Sequence, residues 1–237
     1  MKKLRLRNPF SRLSRFEWGL WLVSITVSTV SFLIGGEGGV IALIASLFGV
    51  TALIFVAKGD VLGQFLCVVF GLLYAVVSLR ERYYGEMITY LCMSVPASVF
   101  SIVSWLKNPY AEDGSEVKME RMSARIVAEC AMGAVIVTFA FYWILRALGT
   151  AELWVSTLSI ATSFVAAFLL FRRCPYYALG YAVNDVVLIV LWVIATAKQP
   201  SNLSMIACFV MFLCNDLYGF FNWLRVRKRQ DREILGQ

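Results

Sequence analysis

Eight long apolar runs, separated by short polar or charged connections, organise this chain between residues 18 and 224. Bounded by charges and turn-forming residues, they fall at 18–34, 39–57, 61–79, 87–106, 126–145, 153–171, 176–197 and 203–224. Each approaches the roughly 20 apolar residues that carry a helix through bilayer hydrocarbon, and none alternates with the period of two expected of a barrel strand. The expected fold is all-α and polytopic, with eight transmembrane helices. Connections such as the glycine-rich turn at 35–39 and Lys58-Gly59-Asp60 are short enough to make neighbouring helices antiparallel, and only 107–125 forms a sizeable loop.

Composition and charge sharpen this picture. The chain is 60% hydrophobic and 16% charged, far from the norm of a soluble domain. Its net charge of +7 is spread over tails and loops rather than one face, which argues against a nucleic-acid partner. Of 22 Lys and Arg, eighteen lie on one side, in the N-terminal tail, at Lys58, at 107–125, at Arg172 and Arg173, and beyond 224. The other side holds Arg80, Arg82, Arg146 and Lys198. Because positive loops stay inside, both termini are expected in the cytoplasm, with the chain in a bacterial inner membrane. The basic start before the first run also fits a signal sequence, but the run is long and no small-residue cleavage site stands near Ile34. An accessory helix is the better reading. The absence of histidine removes the usual general base and the commonest metal ligand. Cys67, Cys92, Cys130, Cys174, Cys208 and Cys214 show no CxxC spacing and read as small hydrophobes, so no cofactor is expected.

The runs repeat. The fourth and eighth align at an offset of 118, pairing Met87 with Met205, Met93 with Met211 and Trp105 with Trp223. The third and seventh align at 117 through Leu62-Gly63 and Leu179-Gly180. Two parallel three-helix units need one extra crossing between them, and the fifth run supplies it. The organisation expected is an accessory helix (1–37), a first repeat (38–107), a cytoplasmic loop and linker helix (108–148), a second repeat (149–225) and a basic tail (226–237). Such 3+1+3 arrangements suit transporters whose site lies between repeats.

Asp185 and Asp216 most need explaining, because a charge inside an apolar helix costs about 2.5 to 3.5 kcal/mol. Each follows an asparagine, Asn184 or Asn215. Helical spacing adds Tyr177, Tyr181, Leu188 and Trp192 to one stripe, and Tyr218, Gly219 and Asn222 to the other. Repeat one offers Gln64, Cys67, Gly71, Tyr74 and Ser78, then Tyr90, Met93, Ala97 and Ser104. Helix-to-helix hydrogen bonding explains any single amide as well as a cavity does, but the set favours a cavity for a flat, hydroxylated solute. Aromatic faces would stack on its ring, and a cationic ring would gain most. Pro96 should bend the fourth helix, as a fixed kink or as a hinge. Trp192 and Tyr74 lie toward the outer ends, where they suit a gate or vestibule. Arg125 and Glu129 are placed for a local ion pair. A membrane enzyme or a scaffold are the other classes, the enzyme having only an aspartate pair for acid and base.

Several segments together suggest a family. They are Lys58 capping the second run, Tyr83-Tyr84-Gly85-Glu86, the segment 105–109 (WLKNP), 184–192 (NDVVLIVLW) and 213–229 (LCNDLYGFFNWLRVRKR). On these the chain resembles the PnuC family of nicotinamide riboside transporters. The resemblance implies a SWEET-like fold, a homotrimer in membrane lipid, and uniport of nicotinamide riboside by facilitated diffusion. A separate kinase would then trap the cargo. Asn184 and Asn215 match the polar residues of the family pattern, and the substrate contacts expected are Asn184, Asp185, Asn215, Asp216 and Asn222 for hydrogen bonding, Tyr181 and Tyr218 for stacking or gating, and Gln64 from repeat one. Repeat one departs from the family pattern, with Pro96-Ala97-Ser98 opposite Asn215-Asp216. Thiamine, riboflavin or a sugar are alternative cargoes.

Overall fold

The computed structural model describes residues 9–35, 39–80, 83–110, 116–150, 152–198 and 203–236. Helix α1 (Arg15–Gly35) opens on a reciprocal cap, in which the Ser14 N–H donates to Glu17 Oε2 and the Glu17 N–H to Ser14 Oγ. Helices α2 (Gly39–Ala57) and α3 (Val61–Arg80) are joined by a tight turn. There Gly59 takes φ +70° and Asp60 Oδ1 accepts the Leu62 N–H, which starts α3. The fourth span is composite: α4 (Tyr84–Thr89), a π turn (Tyr90–Ser94) and α5 (Val95–Lys107). Pro96 lacks the N–H that the Cys92 carbonyl needs, and the widened turn sits where that bond would fail. Ser123 Oγ caps α6 (Ala124–Ala147), after which come α7 (Leu153–Phe171), α8 (Tyr177–Lys198) and α9 (Leu203–Leu235).

Among the described residues, eight helical stretches are long and apolar enough to cross a membrane, as the pattern of runs predicts. Six of these spans close a ring, in the order α2, α3, α5, α7, α8, α9 and back to α2. Helix α1 lies outside against α2 and α9, and α6 packs against α7. The duplication is visible in the packing. A Cβ on Gly63 would meet the Val56 nitrogen at 2.4 Å, and one on Gly180 the Ala166 Cα at 3.0 Å, so in each repeat the second helix presses on the first through glycine. The ring closes by exchange, since the third helix of each repeat packs on the first helix of the other, as α5 on α7 and α9 on α2.

The end of the bundle bearing Lys58, Arg172, Arg173 and Arg225 is more ordered than a solvated loop would be. The Val117 N–H donates to the Gly59 carbonyl and the Glu120 N–H to the Arg173 carbonyl, so one segment grips the corresponding turn of both repeats. Helix α9 does not stop near residue 224 but runs to Leu235, making most of the expected tail helical. Its Gln230 donates to Glu116 and to the Val117 carbonyl and accepts from the Met119 N–H, while Arg229 pairs with Glu116. Residues 111–115 of the loop lie outside those described. Arg172 binds Glu120 at 2.9 Å and Glu129 at 2.7 Å, and Glu129 also takes Arg125 at 2.7 Å, the pair the spacing predicts. Glu120 lifts the Arg172 guanidinium further above its usual range, whereas burial pulls that of Arg173 down.

Candidate functional site

Inside the ring lies a cavity of about 70 Å³ to which all six spans contribute. Its wall follows the duplication. Gly49 and Ser163, and Val56 and Leu170, are pairs 114 positions apart; Cys67 and Asn184 are 117 apart; Ser94 and Phe212, and Ser98 and Asp216, are 118 apart. The chemistry is not duplicated. Repeat one presents small, thiol, hydroxyl and aromatic groups, while repeat two presents Tyr181, Asn184, Asp185 and Asp216.

The polar groups of repeat two are held in place. Asn184 Oδ1 accepts from Thr162 Oγ1 at 2.8 Å and Ser163 Oγ at 2.9 Å, with Ser159 Oγ at 3.4 Å, so a row of α7 hydroxyls fixes its orientation. Asp185 and Asp216 are 3% and 4% exposed, and their carboxyl groups interact with each other across α8 and α9. Asp185 Oδ2 is buried without a protein partner. The two acids that the sequence leaves 31 residues apart therefore form one feature of the wall.

The remaining expected contacts lie elsewhere. Asn215 Nδ2 donates to Ser24 Oγ of α1 and to the Met211 carbonyl; Tyr218 donates to Glu17; Asn222 donates to the Ala57 carbonyl. All three are off the cavity wall and tie α9 to α1 or α2. The reason is a single residue step, which turns a helix by about 100°. Phe209, Phe212 and Asp216 face the hollow, and the face one position back, which carries Asn215, does not. Gln64 is wholly buried with neither amide atom bonded to protein, and it too lies off the wall. Wall residues that the spacing did not pick out include Ser94 at the end of the π turn and Ser98 one turn on, and Phe70, Phe209 and Phe212, whereas Cys67, Tyr90 and Tyr177 lie on the stripes it named. Pro96, which widens that turn, was the available signal for the first group.

Two constrictions bound the cavity. At the far end the buried Trp192 Nε1 donates to Tyr74 Oη at 3.0 Å, and Tyr83 packs on Trp192. At the basic end the repeats clasp each other. Trp105 Nε1 donates to the Leu170 carbonyl and Ser104 Oγ to that of Phe171; Trp223 Nε1 donates to the Val56 carbonyl and Asn222 Nδ2 to that of Ala57. These are two copies of one arrangement, each serving carbonyls that helix ends leave without intrahelical partners. The two indoles touch, with ring centroids 5.6 Å apart, and Tyr177 packs on Trp223 at 4.6 Å. Pockets for drug-sized ligands measure roughly 300 to 1,000 Å³, so this conformation is contracted around its cavity. Among the described residues no three His, Cys, Asp or Glu side chains gather as a metal site requires.

The architecture has known relatives. A family model described as nicotinamide mononucleotide transporter matches residues 39–225. The nicotinamide riboside transporter PnuC of Neisseria mucosa is 28% identical over 228 residues, covering 94% of this chain and 86% of the relative. That of Haemophilus influenzae is 23% identical over 211 residues, covering 89% and 90%. A crystal structure of the Vitamin B3 transporter PnuC superposes with a TM-score of 0.80 at 26% identity, covering 92% of this chain and 94% of that one.

Proposed function

We propose, from the premise that this chain belongs to the nicotinamide mononucleotide transporter family, that its cargo is nicotinamide riboside rather than the mononucleotide. The observation that carries this choice is the charge of the cavity wall, which has two carboxyl groups, an asparagine and tyrosine rings and, among the described residues, no Lys or Arg. A phosphate would meet Asp185 and Asp216 with nothing to neutralise it, whereas a pyridinium ring finds counter-charge and aromatic faces. Both curated relatives carry the riboside in their names, which supports the same assignment. Asn184, its carbonyl oxygen committed to α7, turns its NH₂ toward the cavity as a donor for ribose hydroxyl or carboxamide oxygen.

Transport is uniport down the cargo gradient, with one repeat moving against the other around the central cavity. The basic end faces the cytoplasm of a bacterial inner membrane, both termini lie there, and the chain works as a homotrimer. Phosphorylation by a separate kinase keeps the flux inward. The test is uptake into proteoliposomes of purified protein. Riboside should enter without a proton or sodium gradient, mononucleotide should not, and Asp216→Asn should reduce riboside uptake at least tenfold with assembly intact. Equal uptake of the two compounds would sink the assignment, and preferential uptake of thiamine or riboflavin would replace it.

A further inference from the structure

We propose that Glu86 is the specificity residue that selects a positively charged ring at the far side of the cavity, a role that rests on the riboside reading above. Glu86 occupies the first turn of α4, is 2% exposed, and has one carboxyl oxygen, Oε2, buried without a protein partner. Its side chain reaches Ser159 of α7, and it lies within electrostatic range of Tyr74 and Tyr90. Tyr90 is part of the cavity wall and Tyr74 is half of the far constriction; their rings stand 4.3 Å apart. Glu86 therefore sits behind the tyrosine pair that links the far constriction to the cavity wall, without itself lining that wall.

A purely structural role does not account for this carboxyl. Glu17, an acid buried in a span away from the cavity, shows what structural use looks like. It takes Lys58 on both oxygens, the Tyr218 hydroxyl, and the Ser14 N–H. Buried acids kept for stability are satisfied in this way, because an open oxygen forfeits the hydration it had in water. Glu86 instead leaves an oxygen without a hydrogen-bond partner near Tyr74 and Tyr90, and Tyr90 opens a π turn, an irregularity frequent at functional sites. That combination matches a cationic aromatic ring, to which the tyrosine faces offer cation–π contact and the carboxyl offers a counter-charge. A neutral dihydropyridine riboside of nearly the same shape gains neither. Entry past Glu86 hands the cation to Asp185 and Asp216, so charge is matched along the route.

The test compares uptake of nicotinamide riboside with that of its reduced, uncharged dihydro form by full-length protein in proteoliposomes. Wild type should favour the cation, and Glu86→Gln should lower the cation-to-neutral ratio of kcat/KM about tenfold, mainly through KM for the cation. Glu86→Asp, which keeps the charge, should retain most of the ratio. Tyr90→Leu should lower it in the same sense, which keeps the idea testable if Glu86→Gln does not fold. An unchanged ratio in both Glu86→Gln and Tyr90→Leu would overturn the role of Glu86 while leaving the cargo assignment standing. An equal loss of both ribosides in folded Glu86→Gln would also overturn it, making the residue structural. Wild type that takes up neither riboside would instead remove the cargo assignment on which the inference rests.

Discussion

Replacing Trp105 or Trp223 by phenylalanine removes one N–H from a symmetric clasp and puts a smaller ring in a buried position. The carbonyls they serve, Leu170 and Val56, each accept a second bond from the following turn, from the Arg173 and Gly59 N–H groups at 2.9 Å. Neither acceptor is therefore stranded, so the lost bond contributes about 1 kcal/mol rather than a full desolvation penalty, and the packing lost with the smaller ring adds to it. If these contacts exist only while the basic end is closed, each variant shifts the equilibrium toward the open form at least about fivefold, and the double variant at least about thirtyfold. Cys67 offers the readout, since it lies on the cavity wall. With the other five cysteines replaced, its alkylation by an impermeant maleimide applied from the basic side should accelerate by those factors. The ring contact at 5.6 Å makes some departure from additivity expected in the double variant. Unchanged labelling in both single variants would refute the clasp as a gate. A response from only one would refute its symmetry.

Three further outcomes follow from the packing. Gly63→Ala should lower the melting temperature in detergent more than Gly180→Ala, because its Cβ meets backbone at 2.4 Å rather than 3.0 Å, with overpacking costs of about 1 to 3 kcal/mol. Lys58→Met should destabilise more than the Lys58→Met/Glu17→Gln pair, since the single change leaves a nearly inaccessible carboxylate without its partner; equal melting temperatures would contradict this. Tyr74→Phe and Trp192→Phe cut the same 3.0 Å bond, so their effects on labelling of Cys67 from the far side should not add in the double variant.

The spans were legible in the sequence because lipid enforces length and apolarity on every one of them. The stripe on α8 was legible too, since Tyr177, Tyr181 and Asn184 line the cavity and Trp192 forms the far constriction. On α9 the same reasoning picked the face of Asn215, Tyr218 and Asn222, because amides and hydroxyls stand out against apolar neighbours. That face meets α1 and α2, whose own Ser24, Glu17 and Ala57 carbonyl make polar residues useful there. Periodicity alone does not say which helix a polar face will meet. Glu86 was passed over for a related reason. Placed just before the apolar run begins at residue 87, it reads as a loop acid, and only the start of α4 at Tyr84 brings it inside.

The two halves of the molecule divide their labour in a way that the duplication makes intelligible. The basic-end clasp is kept twice, as Ser104-Trp105 on one repeat and Asn222-Trp223 on the other, each gripping the opposite first helix. A rocking motion between two like units needs matched contacts, because an imbalance would leave one unit latched while the other moved. The cavity has abandoned that symmetry: the counterpart of Asn184 is Cys67, and that of Asp216 is Ser98. A nucleoside has no twofold axis, so a symmetric wall would present half its donors to the wrong end of the cargo. Polar groups concentrated on repeat two would fix one orientation, and small groups on repeat one would leave space for the rest. Restoring symmetry should therefore weaken recognition without disturbing the gate. Cys67→Asn, which gives repeat one the amide of its counterpart, should lower riboside affinity while leaving the accessibility of a cysteine introduced at Ser98 unchanged in the empty protein. A variant that bound more tightly would show that the missing amide, not the asymmetry, limits recognition.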